Sequence, residues 1–279
     1  MSRIIVTGSN GFIGSRIIES LSRKGHDLIS VDSEIFLDKD IKGSLLENLE
    51  IVDPQVIFHV GACSNTLETN VQEMMLKNYE VTKWIADWCS RRDKALVFSS
   101  SAANYGTNGI YPSNLYGWSK YVAEDYVVKS GGIALRYFNV YGPGESRKGK
   151  MASFLFQAFE NSRLGRPVKI FPGKPRRDFV YINDVVDANL FAMENYSRLK
   201  GRWYEVSTAV ANEFETVLDL ANFSYSITSE DDVPEGYQFF TCGNKDFWMP
   251  GWQPSYTLEA GIHEYICFLQ NESKVNLQD

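Results

Sequence analysis

Short apolar runs alternate with amphipathic stretches through the first half of the chain, and this alternation limits the possible folds more than any other feature. Runs that are apolar at successive positions predict strands buried on both faces, whereas apolar residues that recur every three or four positions predict helices. The predicted strands are Arg3–Val6, Leu28–Val31, Val56–Val60, Ala95–Ser99 and Ile133–Tyr137, and the predicted helices lie near Phe12–Lys24, Met74–Arg91 and Leu115–Lys129. This order is typical of an α/β fold with a doubly wound parallel sheet.

The pattern changes after Tyr141-Gly142-Pro143-Gly144. Residues 151–161 have the pattern of a helix, and a loop rich in glycine and proline follows as far as Arg177. The change predicts a second, smaller lobe in the C-terminal part of the chain.

The charge balance and the apolar pattern argue against several classes of protein. A net charge of −7 over 279 residues disfavours a broad nucleic-acid surface, which needs clustered lysine and arginine. A strand pattern begins at Arg3, which predicts that there is no secretory leader. The sequence has no run of about 18 uncharged apolar residues, so no membrane span is predicted. The four cysteines lack the paired spacing of a zinc site, so no metal is expected. We therefore expect a cytoplasmic protein without nucleic-acid or membrane partners.

A glycine-rich segment, Gly8–Gly14, lies between the first predicted strand and the first predicted helix. Its glycines permit a tight turn and let a pyrophosphate approach the backbone at the positive end of the helix. An ordinary turn also favours glycine, but Asp32 ends the second strand about 20 residues further on, where an acidic residue binds a ribose hydroxyl. Together the two features predict a dinucleotide site formed by Gly8, Gly11, Phe12, Ile13, Gly14 and Asp32.

The residues after the second strand leave the choice between NAD and NADP open. Asp32 favours NAD because it can accept from the ribose 2′-hydroxyl, whereas Lys39 and Lys42 are close enough in sequence to bind the 2′-phosphate of NADP. Both lysines are also compatible with solvated loop charges. Asp40 and Ile41 are candidates to flank the adenine, or else a strand end and a core position. The expected cofactor is tightly bound NADP or NAD.

A second motif places a tyrosine and a lysine four residues apart on the third predicted helix. Tyr116 and Lys120 share one helix face, so the ammonium group can lie near the phenol. Two unit charges about 4 Å apart at an effective dielectric constant of about 20 interact by about 4 kcal/mol. This energy would lower the pKa of the phenol by roughly three units. Burial of the phenolate opposes the change, so the figure is an upper bound. The motif predicts a tyrosine acid/base, with Ser101 holding the substrate oxygen. The alternative is a surface pair without a role.

These motifs resemble those of the extended short-chain dehydrogenase/reductases, and the resemblance runs over nearly the whole chain. It is sharpest with the ADP-glyceromanno-heptose 6-epimerases, through the segments Phe58–Ser64, Asn78-Tyr79, Arg136–Pro143, Lys148–Ser153 and Arg177–Tyr181. The most specific segment is Lys148–Ser153. The resemblance implies a Rossmann-like nucleotide domain of residues 1–138 with about 178–207 and 238–250, a substrate-binding lobe of residues 139–177, 208–237 and 251–279, and a homo-oligomer.

The resemblance also implies roles for single residues. Lys148 matches a second acid/base on the face of the sugar opposite Tyr116, although its basic, glycine-flanked loop is also suited to attract a diphosphate. Lys174, Arg176 and Arg177 form a further basic cluster for phosphate oxygens, with Arg177 on the diphosphate, or else a solvated surface. The implied cofactor contacts are Gly61, Ala62, Asn78, Tyr116 and Lys120, and the implied substrate contacts are Ser101, Asn139, Lys148, Ser153, Arg177 and Tyr237, of which Tyr237 is equally suited to be a core aromatic.

The reaction implied is the epimerisation of a sugar nucleotide by transient oxidation to a ketone, with Tyr116 and Lys148 serving the two faces of the sugar. An ADP-glyceromanno-heptose 6-epimerase is the specific expectation. The alternatives are a sugar-nucleotide 4-epimerase or a reductase of the same family, and a nucleotide sensor without catalysis. A sensor would not need Ser101, Tyr116 and Lys120.

Three further features of the sequence bear on these alternatives. Tyr116 follows Ser101 by only fifteen positions, fewer than is usual in the family, which weakens the prediction of the substrate more than that of the reaction. Ala102 and Ala103 stand where the 4,6-dehydratases of the family have acidic residues, which disfavours a dehydratase. His59 lies in an apolar strand without a partner at metal-ligand spacing, so a core or cofactor-adjacent histidine is expected.

Overall fold

A six-stranded parallel sheet lies at the centre of the computed structural model, which describes residues 2–33, 39–107, 109–234 and 237–275. Its strands are β1 (Arg3–Thr7), β2 (Asp27–Val31), β3 (Val56–His59), β4 (Ala95–Ser101), β5 (Ile133–Tyr137) and β9 (Arg202–Val206). Their order is β2-β1-β3-β4-β5-β9, and every neighbouring pair is parallel. The predicted α/β fold with a doubly wound, Rossmann-like sheet is confirmed.

Helices cover both faces of this sheet. The α-helices of the described residues are α1 (Phe12–Arg23), α2 (Ile41–Val52), α3 (Val71–Met75), α4 (Val81–Arg91), α5 (Leu115–Lys129), α6 (Phe154–Arg163), α7 (Ile182–Glu194), α8 (Tyr196–Leu199), α9 (Phe214–Leu220) and α10 (Leu258–Val275). Ile4 and Val6 of β1 belong to the core that includes α1 and α7, whereas Ile5 belongs to the core with α2, α4 and α5. Burial on both faces explains why continuous apolar runs mark these strands. Among the described residues, no helix is long and apolar enough to cross a membrane.

The strands and helices predicted in the first half of the chain are present. One predicted helix is interrupted, and one helix, α2, was not predicted. The helix predicted at Met74–Arg91 consists of α3, a π-helical turn at Leu76–Glu80, and α4. Helix α2 is absent from the prediction because it has a glycine and a serine in its first turn and buries only two residues. Asp40, considered above as a strand end, is instead its N-cap and accepts from Gly43 N–H at 2.9 Å.

The second half of the chain adds two small sheets. They are formed by β6 (Asn139–Tyr141), β8 (Arg176–Tyr181) and β10 (Ala211–Glu213) in the order β10-β8-β6, and by β7 (Val168–Ile170) with β11 (Tyr225–Ile227). The helix predicted at 151–161 is α6, which starts later because Ser153 is its N-cap and accepts from Phe156 N–H at 3.2 Å. The division into a nucleotide domain and a substrate lobe stays a prediction.

A buried ion pair joins β5 to α5, and a serine of β4 bonds to the same carboxylate. Arg136 and Glu124 are 6% and 3% exposed, and three hydrogen bonds of 3.1 Å, 2.8 Å and 2.5 Å join the guanidinium to the two carboxylate oxygens. Ser100 Oγ of β4 also donates to Glu124, at 2.6 Å. Because loss of either charge would leave the other buried without a partner, the pair holds both elements firmly in place.

Candidate active site

The turn between β1 and α1 brings backbone segments into direct contact. Gly8 has a φ of 66°, and a Cβ atom on it would lie 2.7 Å from the backbone of Gly61, which follows β3. A Cβ atom on Gly14 would lie 2.1 Å from the carbonyl oxygen of Gly8. The N-cap of α1 is Gly11, and no side chain caps this helix. The first N–H groups of α1 are therefore available to an anion.

Asp32 lies beside this turn at the end of β2. Its carboxylate accepts from Asn10 N–H and from Ser33 N–H, both at 2.8 Å. A carboxylate can accept about four hydrogen bonds. Asp32 also lines the large cavity described below.

The other residues predicted around the adenine lie outside this cavity. Lys39 is exposed, and the Asp40 side chain caps α2. Ile41 packs against the core formed with α2, α4 and α5. The Lys42 ammonium lies 5.9 Å from the centroid of the Trp84 ring, where it makes a cation–π contact.

A chain of hydrogen bonds runs through His59 at the end of β3. Its Nδ1 lies 2.7 Å from Thr7 Oγ1, and its Nε2 lies 2.9 Å from Thr82 Oγ1. Thr82 donates to the carbonyl of Asn78 at 2.7 Å, and Thr7 accepts from Gly61 N–H at 3.0 Å. Nε2 therefore carries the hydrogen and Nδ1 accepts. Burial lowers the pKa of His59 to about 3, which keeps the ring neutral. His59 is buried as expected and also lines the cavity described below, so the cofactor-adjacent alternative stays a prediction.

Asn78 lies on the π-helical turn, is 1% exposed, and does not line the cavity. Its Oδ1 accepts from Cys63 N–H at 2.7 Å, and its Nδ2 donates to the carbonyl of Cys63 at 3.0 Å and to Ser119 Oγ at 2.9 Å. Ser119 donates in turn to the carbonyl of Tyr116 at 2.7 Å. Asn78 thus joins the loop after β3 to helix α5 from behind the cavity wall.

Ser101, Tyr116 and Lys120 line the cavity together. Ser101 Oγ accepts from Ala103 N–H at 3.1 Å and is hydrogen-bonded to the Tyr116 phenol. Lys120 is 2% exposed, and its Nζ donates to the carbonyl of Ser99 at 2.7 Å. The structure therefore brings together the three residues that the motif selected.

The electrostatics of this set differ from the sequence-based expectation. Burial lowers the pKa of Lys120 to about 7. Burial raises the pKa of Tyr116 above its ordinary value, and the hydrogen bond with Ser101 opposes the change only in part. The expectation that Lys120 brings the phenol towards neutrality is wrong here, because desolvation raises the pKa of Tyr116 and the Lys120 amine donates to the Ser99 carbonyl instead.

Lys148 lies in a 3₁₀-helical segment, Glu145–Met151, which we call the basic segment. Lys148 is half-buried, lines the cavity, and has its Nζ 5.8 Å from the centroid of the Phe12 ring. The neighbouring Arg147 donates to the carbonyl of Asn10 at 3.3 Å. Burial lowers the pKa of Lys148, and the nearby Glu145 opposes this change. The basic segment therefore lies against the glycine-rich turn.

The basic cluster predicted near β8 is divided between two environments. Lys174 and Arg176 are exposed and pair with Glu213 at 3.5 Å and 2.8 Å, as in the solvated alternative. Arg177 is 9% exposed and lines the cavity. Its guanidinium lies 5.5 Å from the centroid of Tyr237. Of these three residues, Arg177 alone reaches the cavity.

The other predicted substrate contacts differ in whether they line the cavity. Asn139 lines the cavity, and its Nδ2 donates to the carbonyl of Asp178 at 3.2 Å. Ser153 also lines it, but its hydroxyl already donates to Glu145 at 2.9 Å and caps α6. Tyr237 does not line it and packs between Phe171 and Phe239, with ring centroids 4.9 Å and 5.0 Å away. Tyr237 is half-buried and belongs to none of the core clusters among the described residues, so both of its suggested roles stay predictions.

The cavity has a volume of about 810 Å³. The predicted site residues that line it are Gly8, Gly11, Phe12, Ile13, Gly14, Asp32, Gly61, Ala62, Ser101, Tyr116, Lys120, Asn139, Lys148, Ser153 and Arg177. Those that do not are Lys39, Asp40, Ile41, Asn78 and Tyr237. The sequence analysis did not select Thr7, Lys77, Gln157, Phe214 and Gln238, which also line it. Of these, Thr7 had a signal, since it directly precedes the first glycine of the motif.

A parallel sheet with a glycine-rich turn and a serine, tyrosine and lysine in one cavity defines an extended short-chain dehydrogenase/reductase. The chain belongs to the NAD-dependent epimerase/dehydratase family, whose family model matches residues 4–207.

Three solved structures illustrate the similarity. The ADP-L-glycero-D-manno-heptose-6-epimerase of Helicobacter pylori is 26% identical over 96% of both chains, with a TM-score of 0.84. The UDP-glucose 4-epimerase of Thermotoga maritima, determined with UDP-glucose, is 22% identical over 97% of this chain and 99% of that chain, with a TM-score of 0.84. The dTDP-glucose 4,6-dehydratase of Bacillus anthracis, in complex with NAD, is 19% identical over 98% of both chains, with a TM-score of 0.80. At these identities the last two show likeness of fold alone.

Lys120→Met tests whether the buried amine has a pKa near 7. The folded protein releases this proton near pH 7, whereas the unfolded chain holds it until about pH 10.5. The wild type should therefore gain stability relative to the variant as the pH rises through this window, by about 1.4 kcal/mol per pH unit. Urea unfolding of nucleotide-free protein between about pH 7 and 9 measures the difference.

Lys129→Met is the matched control, because Lys129 is exposed on the same helix and pairs with Asp125. Its difference in stability from the wild type should stay constant over the same window. If the difference for Lys120→Met is constant too, Lys120 titrates as an ordinary lysine.

Proposed function

We propose that this protein is an NAD-dependent epimerase that inverts one carbinol carbon of a sugar nucleotide by transient oxidation to a ketone. The observation that carries the proposal is one cavity lined by dinucleotide-binding, acid/base and phosphate-binding groups. Asp32 represents the first kind, Tyr116 and Lys120 the second, and Arg177 the third. A nucleotide sensor would need only the first kind.

The residues around the glycine-rich turn fit a dinucleotide. Gly8 and Gly14 allow contacts that any Cβ atom would prevent, and the uncapped first turn of α1 offers N–H donors to a pyrophosphate. Asp32 can accept from a ribose hydroxyl while keeping its two backbone bonds. The nicotinamide, when bound, supplies a group that accepts a hydride from the sugar and returns it.

Tyr116 and Ser101 handle the proton on the substrate oxygen. With a raised pKa, the Tyr116 phenol is protonated near neutral pH and can donate to the oxygen as the ketone becomes an alcohol. In the opposite direction the phenolate must accept a proton, and the hydrogen bond with Ser101 favours the phenolate form. Lys120, with a pKa of about 7, can itself hold or release a proton in this range.

Lys148 serves the second face of the sugar in this proposal. Inversion requires the ketone to turn in the cavity, which places its oxygen away from Tyr116. Lys148 lines the same cavity, and burial lowers its pKa towards the range in which an amine exchanges protons. Arg147, Lys150 and Arg177 also line the cavity and supply positive charge for a diphosphate.

Within this class we propose an ADP-glyceromanno-heptose or a closely similar sugar nucleotide as the substrate. The proposal is supported by the segment Lys148–Ser153 and by the likeness to the Helicobacter pylori enzyme over 96% of both chains. A sugar-nucleotide 4-epimerase is the second candidate, because the fold matches that of the Thermotoga maritima enzyme with the same TM-score, 0.84. Ala102 and Ala103 line the cavity where a dehydratase of this family would have acidic residues, which disfavours dehydration.

Tyr116→Phe tests the proposed chemistry. Loss of the phenol should lower turnover by about two to four orders of magnitude, the usual contribution of a positioned acid/base, with the fold unchanged. NMR of reactions with ADP-heptose and with UDP-hexoses measures turnover and shows which carbon is inverted. Tyr121→Phe is the control, since Tyr121 lies on the same helix, packs edge-on against Trp118, and does not line the cavity. Near-normal turnover of Tyr116→Phe would remove this residue from the mechanism.

We also propose that NAD, not NADP, is the cofactor. The Asp32 carboxylate would repel a 2′-phosphate, and the two lysines that might have attracted one lie outside the cavity. We expect nucleotide-free protein to bind NAD at least about tenfold more tightly than NADP, and Asp32→Asn to reduce this ratio. Calorimetric titration measures both affinities. Asp27→Asn, at the opposite end of β2 and paired with Arg3, is the control. Tighter binding of NADP by the wild type would contradict the proposal.

A further inference from the structure

A 3₁₀-helical turn, Ala102–Tyr105, follows the serine of the site, and we call it the serine turn. Ser101 is its N-cap and accepts from Ala103 N–H at 3.1 Å, and Gly106 is its C-cap and donates to the Ala103 carbonyl at 3.2 Å. The turn packs on the start of α5, since a Cβ atom on Gly117 would lie 2.7 Å from the Ala103 carbonyl oxygen. The position of the Ser101 hydroxyl therefore depends on how the whole turn is held.

Bonds to the protein interior hold the middle of the serine turn. Asn104 is 2% exposed, and its Nδ2 donates to the Glu124 carboxylate at 3.0 Å. The Tyr105 phenol donates to the Glu205 carboxylate. The C-terminal end of the turn, at Gly106, is held by a different contact, which comes from across the cavity.

The side chain of Gln238 makes this contact. Gly106 has a φ of 58°, and any Cβ atom on it would overlap the carbonyl oxygen of Tyr111, so the short loop after the turn packs closely on it. The Nε2 of Gln238 donates to the Gly106 carbonyl at 2.5 Å. Gln238 is half-buried and lines the cavity. Its amide therefore joins the end of the serine turn to the opposite wall.

The backbone of the same glutamine binds the arginine proposed for the diphosphate. The Gln238 carbonyl accepts from the guanidinium of Arg177, which also lines the cavity. Hydrogen bonds thus run from Arg177 through Gln238 and the serine turn to the Ser101 hydroxyl. A substitution of the Gln238 side chain removes the bond to Gly106 and keeps the backbone bond to Arg177.

We propose that Gln238 is a positioning residue for Ser101, because its amide holds the end of the serine turn against the wall that carries Arg177. The inference rests on the proposed function in giving the Ser101 hydroxyl a role on the substrate oxygen. A displacement of about 1 Å at a reacting group can lower a rate by about a hundredfold, so one bond at the end of a short turn is sufficient to affect turnover. The hydrogen bond carries this effect, and the bulk of the side chain does not.

Gln238→Met separates the hydrogen bond from the shape of the wall, because methionine has nearly the length and bulk of glutamine and no donor. It should lower kcat by about tenfold and change KM by less than about twofold, since the contact with Arg177 is kept. Gln238→Ala, which also lacks the donor, should lower kcat equally. Gln55→Met is the matched control, because the Gln55 amide also donates to a backbone carbonyl, that of Asp53 at 3.3 Å, and does not line the cavity.

A double-mutant cycle with Ser101→Ala shows whether Gln238 acts through the serine. In the Ser101→Ala background, Gln238→Met should lower kcat by less than about twofold, because no hydroxyl is left to position. A direct contact of Gln238 with the substrate, or a general loosening of the cavity, would instead lower kcat by the full factor in both backgrounds.

Hydrogen exchange tests the same bond without substrate. The N–H groups of Ala103 and Gly106 are bonded within the serine turn. If Gln238 holds the end of the turn, these amides should exchange about tenfold faster in Gln238→Met than in the wild type or in Gln55→Met. Mass spectrometry of the peptide that contains the turn measures the rates in nucleotide-free protein.

Normal kcat in Gln238→Met would overturn the proposal. A tenfold loss that persists in the Ser101→Ala background, or unchanged exchange in the serine turn, would overturn it as well. The proposed function fails separately. If the wild type inverts no sugar nucleotide, that function is wrong, and the exchange rates alone decide whether Gln238 holds the turn.

Discussion

The contact between the glycine-rich turn and the loop after β3 is the constraint on which the rest of the site depends. A Cβ atom on Gly8 would lie 2.7 Å from the backbone of Gly61, so the two strand ends approach each other at a distance that only glycine permits. The hydrogen bond from Gly61 N–H to Thr7 Oγ1 fixes this approach, and His59 continues the connection to Thr82. The glycine-rich turn and the loop after β3 are thus parts of one hydrogen-bonded unit.

Burial of charge is the second property that this site depends on. Lys120 and Lys148 both have lowered pKa values because burial disfavours their charged forms, and Glu145 opposes that effect at Lys148. Tyr116 has a raised pKa for the same physical reason. Burial therefore moves the amines and the phenol in opposite directions, and of the two amines Lys120 has a pKa of about 7. Groups of this kind can exchange protons with a carbinol and its ketone.

Local patterns in the sequence were sufficient for five of the six strands of the central sheet, all but β9, and for the grouping of Ser101, Tyr116 and Lys120. The glycine-rich segment and the Tyr116–Lys120 pair are close in sequence, so their geometry follows from one turn and one helix face. Asn78 and Tyr237 could not be placed in the same way. Whether a side chain lines a cavity or supports its wall depends on the elements packed against it, which for Tyr237 are Phe171 and Phe239.

The electrostatic predictions failed for a related reason. A charge–charge estimate for Tyr116 and Lys120 requires only their spacing, whereas desolvation requires knowledge of all surrounding atoms. Helix α2 was missed because its first turn contains Gly43 and Ser44 and its buried face is narrow. Gln238 was not selected, because its bond to Gly106 joins residues 132 positions apart and depends on how two loops pack.

The fate of the hydrogen on the inverted carbon tests the central claim most directly. Inversion through a ketone takes that hydrogen as a hydride and returns the same one, whereas inversion by deprotonation exchanges it with solvent. The reaction should be run in deuterium oxide to a single inversion, and the product analysed by NMR or mass spectrometry. Transient oxidation predicts little or no deuterium at the inverted carbon. Stoichiometric deuterium there would contradict it, and the dinucleotide site would then have no part in the chemistry.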